Sequence, residues 1–284
     1  MKLHSFLRNV VLLVAAIGCV TCSKAEIPIS TDPVRVLAIG NSFSANAIEQ
    51  NLNELALADG RQCEVGNLMI GGCSLERHVQ NIRSDAKEYS YLRRDVTGKT
   101  TSRANVSISE ALGELDWDVI SVQQVSQLAG VYTSYDPWLP ELLAYVKERC
   151  PQAKIVFHQT WAYTPDSNHA GFANYNRDQQ TMYEAVVNTV RWAAERYGID
   201  YVVPAGTAIQ NLRGVLGEVL NTDGFHLNPL GCYAVACTWY ETIFGSDVTD
   251  NSYARSDLDP EQQRQARRAA HAAVTNPWSV TDLR

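Results

Sequence analysis

The chain has 284 residues, of which 45% are hydrophobic and 19% are charged, and its formal net charge is −7. This length and composition indicate one globular domain and exclude a disordered or fibrous chain. Because no basic cluster is long enough to follow a phosphate backbone, nucleic acid is not an expected partner.

The first 25 residues have the pattern of an export signal. Two basic residues precede the apolar run VVLLVAAI, which is too short to span a bilayer. Cleavage before Glu26 would release the protein, whereas a lipoprotein-type signal extending to about residue 18 would leave Cys19 lipidated at the mature N-terminus. We therefore expect a periplasmic or extracellular protein, attached to a membrane only if Cys19 carries lipid. The remainder, 26–284, is predicted to be a single domain.

Short β-branched runs alternate with longer helical patterns along this domain. Strands are predicted at 34–39, 63–70, 119–123, 154–158 and 201–203, and helices at 44–58, 138–149, about 175–197 and 261–273. This alternation predicts a three-layer α/β/α sandwich around a parallel five-stranded sheet of flavodoxin-like topology. Because such sheets bind ligands beyond the carboxyl ends of their strands, residues directly after strands are the first candidates for function.

One segment, at about 88–109, does not fit the alternation. It carries a Thr-Gly-Lys turn between two runs rich in Tyr, Thr, Ser and Val. This pattern predicts a hairpin inserted beside the sheet, as a lid or as decoration.

Five cysteines follow the predicted signal, so at least one cannot pair within the chain. Their spacing with histidines does not match a zinc site, and no metal is expected. We expect buried thiols, with room for one disulfide.

The first predicted strand ends in Gly-Asn-Ser-Phe-Ser, at 40–44, and turns at once into a helix. This turn places Ser42 in the ligand crevice, beside backbone N–H groups that are able to stabilise an oxyanion. An N-cap role for Ser42 or Ser44 is the simpler alternative.

A second polar motif, Asp-Gly-Phe-His-Leu-Asn-Pro, lies at 223–229, just before a helical pattern. A serine nucleophile needs a neutral imidazole as base and a carboxylate to fix the tautomer of that imidazole. Asp223 and His226, three residues apart, supply both groups from one short segment.

In this order the blocks resemble the SGNH/GDSL hydrolase superfamily. Val-Leu-Ala-Ile-Gly-Asn-Ser-Phe-Ser, at 36–44, is similar to the first block of that family, with Asn41 where Asp is usual, and 223–228 is similar to its last block. The resemblance implies a triad of Ser42, His226 and Asp223, and an oxyanion hole that includes the N–H of Ser42 and of Gly72 or Gly71. It implies no cofactor.

The third block departs from the family pattern. Where Gly-x-Asn is usual, the chain has Gln-Gln-Val-Ser-Gln at 123–127. The position of the asparagine falls on Gln127, although Gln123 also ends the strand and could reach inward. A glutamine carries the same amide donors, so either residue could complete the oxyanion hole.

The resemblance implies a serine esterase that forms an acyl-enzyme. No long apolar stretch suggests a lipase lid, which favours a short acyl group. Export, aromatic residues near the site and the sugar deacetylases of the family point to O-acetyl groups on carbohydrate, so the expected partner is a small-molecule or glycan ester. Asn41, His158 and Trp161 are predicted to contact substrate, the last two as an aromatic wall after the fourth strand. His169 is expected at the surface.

Two other functions remain open. A non-catalytic carbohydrate-binding or scaffold protein on a degenerate SGNH fold would explain the altered third block. A flavin or nucleotide binder is disfavoured, because the sequence GNSFS has too few glycines to surround a phosphate.

Overall fold

The structure is a computed structural model that describes residue 27 and residues 32–284. The predicted signal, with Cys19, lies outside these residues. Within the described residues, seven strands form one sheet in the order β4-β3-β2-β1-β5-β6-β7. They are β1 Val34–Gly40, β2 Cys63–Met69, β3 Tyr89–Arg94, β4 Thr100–Val106, β5 Val119–Val122, β6 Lys154–His158 and β7 Tyr201–Val203.

Helices flank this sheet. The α-helices of the described residues are α1 Ser42–Ile48, α2 Leu52–Ala58, α3 Leu75–Ser84, α4 Ile108–Leu112, α5 Trp138–Arg149, α6 Gln179–Tyr197, α7 Ala205–Leu216, α8 Pro229–Phe244 and α9 Pro260–Thr275. Helices α1, α2, α7 and α9 pack around α8, while α3 packs against α4 and α5. None of the helices in the described part of the chain combines the length and the apolarity that crossing a membrane requires.

The sheet differs from the predicted one in size and direction. The predicted all-parallel sheet of five strands is wrong, because two antiparallel strands extend the β2 edge: β3 pairs with β2, and β4 pairs with β3. These two strands occupy the segment for which a hairpin was predicted. Strand β4 is exposed along most of its length, so it lacks the apolar alternation that marks a strand of the core.

The predicted helix at 44–58 is divided into α1 and α2. Asn51, between them, has a φ of 70°, which interrupts the right-handed helical path. Helix α1 is capped by Asn41, whose Oδ1 accepts the N–H of Phe43 at 3.0 Å. The Ser44 hydroxyl instead lies 2.7 Å from the Asn41 carbonyl oxygen and from Asn67 Oδ1.

All five cysteines of the described residues are buried and free, so they do not form the disulfide that the sequence left possible. Burial raises the pKa of the Cys63 and Cys73 thiols to about 12. Such thiols stay protonated near neutral pH and are poor nucleophiles.

The register of the central strands brings three loops together. Gly40 at the end of β1 pairs with Met69 of β2, and Ile39 pairs with Val122 of β5. Because these strands are parallel, their carboxyl ends lie at one edge of the sheet. The loops after β1, β2 and β5 therefore meet there, as the alternation of strands and helices predicts.

Candidate active site

The site begins at the turn between β1 and α1. Ser42 is the first residue of α1 and is half-buried. The carbonyl of Asn41 accepts the N–H of Ser44 and of Ala45, so the helix starts at once. A side chain at Gly40 would lie 2.5 Å from Ser44 Oγ. Only glycine therefore lets the helix start this close to the end of the strand.

Asn41 joins three loops. Its Oδ1 accepts hydrogen bonds from the Phe43 N–H and from Gln123 Nε2, the latter at 2.8 Å, and its Nδ2 donates to the Cys73 carbonyl at 3.1 Å. The residue is 1% exposed. Its amide is therefore engaged within the protein; because the residue also borders the pocket described below, the predicted substrate contact stays a prediction.

Ser42, His226 and Asp223 form one hydrogen-bonded line. His226 Nε2 lies 2.8 Å from Ser42 Oγ, and His226 Nδ1 lies 2.7 Å from Asp223 Oδ2. The other carboxylate oxygen, Asp223 Oδ1, accepts the N–H of Phe225 at 3.1 Å and of His226 at 2.7 Å. The carboxylate therefore orients both the ring and the backbone of the histidine segment. This is the arrangement in which an imidazole can take a proton from a serine hydroxyl.

Several contacts hold the loop that carries this histidine. The Leu227 N–H donates to Asn46 Oδ1 of α1 at 3.0 Å, which ties the loop directly to the helix that begins with Ser42. Asn228 caps α8 by accepting the N–H groups of Leu230 and Gly231. Sequence reasoning missed Asn46, because a link between residues 181 positions apart has no local signal.

The pKa of Asp223 is set by opposing effects. Partial burial by itself would raise the pKa of Asp223. The hydrogen bonds from the His226 ring and from two backbone N–H groups outweigh burial, and the pKa lies below its ordinary value. The carboxylate is therefore ionised near neutral pH and is able to stabilise an imidazolium next to it.

A pocket of about 250 Å³ opens over Ser42. Its described lining contains no lysine, arginine, aspartate or glutamate. The lining residues are Asn41, Ser42, Phe43, Gly71, Gly72, Val125, Ser126, Gln127, His169, Phe225 and His226.

The glycine pair after β2 provides unused donors. Gly71 and Gly72 are exposed and border the pocket, and Gly72 has a φ of +65°, which favours glycine. Within the described residues, the N–H groups of Ser42, Gly71 and Gly72 have no hydrogen-bond acceptor. These are the backbone donors that the resemblance to the SGNH/GDSL superfamily implies for an oxyanion hole, with Gly72 and Gly71 as alternatives.

The structure separates the two candidate glutamines. Gln123 is fully buried and donates its Nε2 to Asn41, so it does not reach the pocket. Gln127 is half-buried and borders the pocket, and its side-chain amide has no hydrogen-bond partner among the described residues. Only Gln127 therefore stays available as the amide donor.

The predicted aromatic wall is wrong. His158 and Trp161 are both fully buried. Trp161 stacks on Phe43 at 4.2 Å, and Trp239 Nε1 donates to His158 Nδ1 at 3.0 Å. Burial lowers the pKa of His158 to about 3. We call Phe43, His158, Trp161 and Trp239 the buried aromatic stack. It packs against the turn that carries Ser42, through Phe43.

Three other rings line the pocket. Phe225 lies between His226, at 4.3 Å between ring centroids, and His169, at 4.9 Å. We call these three residues the pocket aromatic group. His169 was expected at the surface. Two features of the sequence could have indicated that these residues line the pocket. Phe225 lies between Asp223 and His226, and His169 lies in the loop after β6.

Residues 35–273 match the family described as "Domain of unknown function (DUF4886)". A crystal structure of a DUF4886 family protein from Bacteroides uniformis is 47% identical, covers 88% of this chain and 98% of its own, and superposes with a TM-score of 0.87. No curated protein matches the chain.

Two more distant structures share the fold. A proposed SGNH hydrolase from Slackia heliotrinireducens is 18% identical over 74% of this chain and 98% of its own, with a TM-score of 0.51. A proposed GDSL-like lipase from Parabacteroides merdae is 15% identical over 78% of this chain and 100% of its own, with a TM-score of 0.55. These similarities confirm the predicted SGNH-like α/β fold. The chain itself belongs to the DUF4886 family.

Proposed function

We propose that this protein is a serine esterase that removes short acyl groups through an acyl-enzyme. The observation that carries the proposal is the line from Ser42 Oγ through the His226 ring to Asp223, with contacts of 2.8 Å and 2.7 Å, beside a pocket that Ser42 and His226 line. A serine placed only to cap a helix does not need an imidazole and an ionised carboxylate behind it.

In the first half-reaction Ser42 Oγ attacks the ester carbonyl carbon while His226 Nε2 takes the hydroxyl proton. Asp223 stabilises the resulting imidazolium. The carbonyl oxygen becomes an oxyanion that accepts hydrogen bonds from the N–H of Ser42 and of Gly72 or Gly71, and from the Gln127 amide. The tetrahedral intermediate then breaks its bond to the alcohol oxygen, which leaves with the proton from His226.

In the second half-reaction water attacks the acyl carbon on Ser42 Oγ and gives its proton to His226. Collapse of the second tetrahedral intermediate breaks the bond between the acyl carbon and Ser42 Oγ, which recovers the proton. The products are a carboxylic acid and the free enzyme.

The size of the pocket supports a small acyl group such as acetyl, since about 250 Å³ is below the usual range of about 300–1,000 Å³ for drug-sized ligands. The resemblance to a superfamily rich in sugar deacetylases supports carbohydrate O-acetyl groups as the substrate.

The test is hydrolysis of p-nitrophenyl acetate by the purified protein beside Ser42→Ala. Loss of the nucleophile should lower kcat/KM by about 10³-fold or more. Ser102→Ala is the matched control, because Ser102 is an exposed serine on the edge strand β4, which β3 and β2 separate from β1. An inactive parent protein, or a Ser42 variant as active as the parent, would contradict the esterase proposal. Binding of acetylated glycans that survives Ser42→Ala would then favour a carbohydrate-binding protein.

A further inference from the structure

We propose that His169 and Phe225 form the subsite for the alcohol part of the ester, and that His169 Nε2–H donates a hydrogen bond to an oxygen of a neutral sugar there. The inference rests on the proposed esterase function and adds a residue that selects the substrate.

The hydrogen bonds of His169 fix its tautomer. The N–H of Gly171 donates to His169 Nδ1 at 3.1 Å, so Nδ1 carries a lone pair and the proton of the neutral ring lies on Nε2. Burial, followed by the nearby His226, lowers the pKa of His169, with Asp223 opposing this effect. Among the described residues, Nε2 has no hydrogen-bond partner. An oriented donor is thus left free at the edge of the pocket.

The surroundings of His169 hold its ring in place. The residue caps the 3₁₀ turn Ala170–Tyr175, and its ring contacts those of Tyr163 and Phe225, each at 4.9 Å between centroids. A side chain on Gly171 would lie 2.3 Å from Gln127 Cβ, so the turn packs closely against the neighbouring loop. A donor held this way loses little conformational entropy when it binds a ligand.

The order of the strands indicates which part of the ester His169 meets. The glycine pair follows β2, and His169 follows β6, on opposite sides of β1 and β5 in the sheet. In the proposed reaction the carbonyl oxygen faces the glycines, whereas His226 must reach the leaving alcohol oxygen. His169 shares the Phe225 ring with His226. It therefore lies beside the alcohol, on the side of β1 and β5 opposite the glycine pair.

The chemistry of the subsite favours a neutral polyol. A ring face that packs on C–H groups and one fixed N–H donor match the alternating apolar and hydroxyl surfaces of a sugar. The absence of lysine and arginine from the described lining leaves nothing to pair with a phosphate or carboxylate on the alcohol. An uncharged acetylated saccharide fits these groups better than a phosphorylated or acidic one.

Two substitutions separate binding from the capping role of His169. His169→Asn places an amide oxygen near the Nδ1 position, so it retains the cap but lacks the distal donor. His169→Gln places an amide N–H₂ near the Nε2 position, so it retains the donor but loses the cap.

The measurement is the ratio of kcat/KM for a methyl mono-O-acetyl xyloside to kcat/KM for ethyl acetate, whose alcohol has no second oxygen. Loss of one hydrogen bond to substrate should lower this ratio about tenfold in His169→Asn. In His169→Gln the ratio should stay within about threefold of that of the parent.

An unchanged ratio in His169→Asn, or an equal fall in both variants, would overturn the subsite. So would a parent protein that cleaves ethyl acetate but not the xyloside, and in that case the esterase proposal stands. A parent protein inactive on both esters refutes the esterase proposal itself.

Discussion

The buried aromatic stack and the pocket aromatic group are in direct contact, but most of their members have different environments. Trp161 and His158 in the stack are fully buried, whereas Phe225 and His226 are half-buried and border the pocket. One hydrogen bond joins the two groups, from Trp161 Nε1 to the Phe225 carbonyl at 2.8 Å. Aromatic residues that directly follow a strand can thus be buried beneath a site, while aromatic residues of later loops line its pocket.

The largest expected effect is on the free energy of unfolding, which should fall more for a substitution in the buried aromatic stack than for one in the pocket aromatic group. Trp161→Ala removes a ring stacked on Phe43 and leaves a cavity, so it should lower the free energy of unfolding by about 3–5 kcal/mol. Phe225→Ala removes a half-exposed ring and should lower it by about 1 kcal/mol. Urea denaturation followed by circular dichroism measures both. Equal losses would contradict the distinction.

A second contrast is expected in the response to acid. The pKa of His158 is about 3 in the folded protein and about 6.5 in an exposed histidine, so the unfolded chain binds the proton more tightly. The free energy of unfolding should therefore fall as the pH drops below about 6.5, and this histidine alone should account for about 2 kcal/mol at pH 5. Buried His78, with a pKa of about 3, acts in the same direction.

The matched variant is His158→Asn, which retains an acceptor for Trp239 Nε1 but does not titrate. Urea denaturation at pH 7 and pH 5 should give a difference smaller by about 2 kcal/mol in the variant than in the parent. An identical difference would mean that His158 is not the buried titrating group.

The smallest effect tests the hydrogen bond between the two groups. Trp161→Phe retains an aromatic ring but removes the bond to the Phe225 carbonyl, at a cost in stability of about 0.5–1.5 kcal/mol. Because the loop that carries His226 loses a support, kcat for p-nitrophenyl acetate should fall about three- to tenfold.

Trp239→Phe is the control for this experiment. It removes a similar hydrogen bond, from Trp239 Nε1 to His158 Nδ1. Neither atom of this bond belongs to the loop that carries His226. Its stability should fall by a similar amount while kcat stays near the parent value. A fall in kcat of the same size in both variants would show that the loss follows stability rather than loop position.

Much of the central fold was predictable from local patterns. Strands β1 and β6 and helix α9 lie within one or two residues of their predicted bounds, and α9 begins at Pro260 after the Asp259 cap. Strand β4 was harder to place because it is exposed and has no buried face to impose a period. The break between α1 and α2 depends on the left-handed backbone of Asn51, which no periodicity indicates.

The sequence by itself determined which residues could do chemistry. Ser42 directly after a strand is a local feature. Asp223 and His226 are another, because only two residues separate them and keep their side chains close. The tertiary structure alone decided which neighbours surround them: Gln127 rather than Gln123 at the pocket, and His169 rather than His158. The physical reason is that burial and contact depend on segments distant along the chain, which local spacing does not encode.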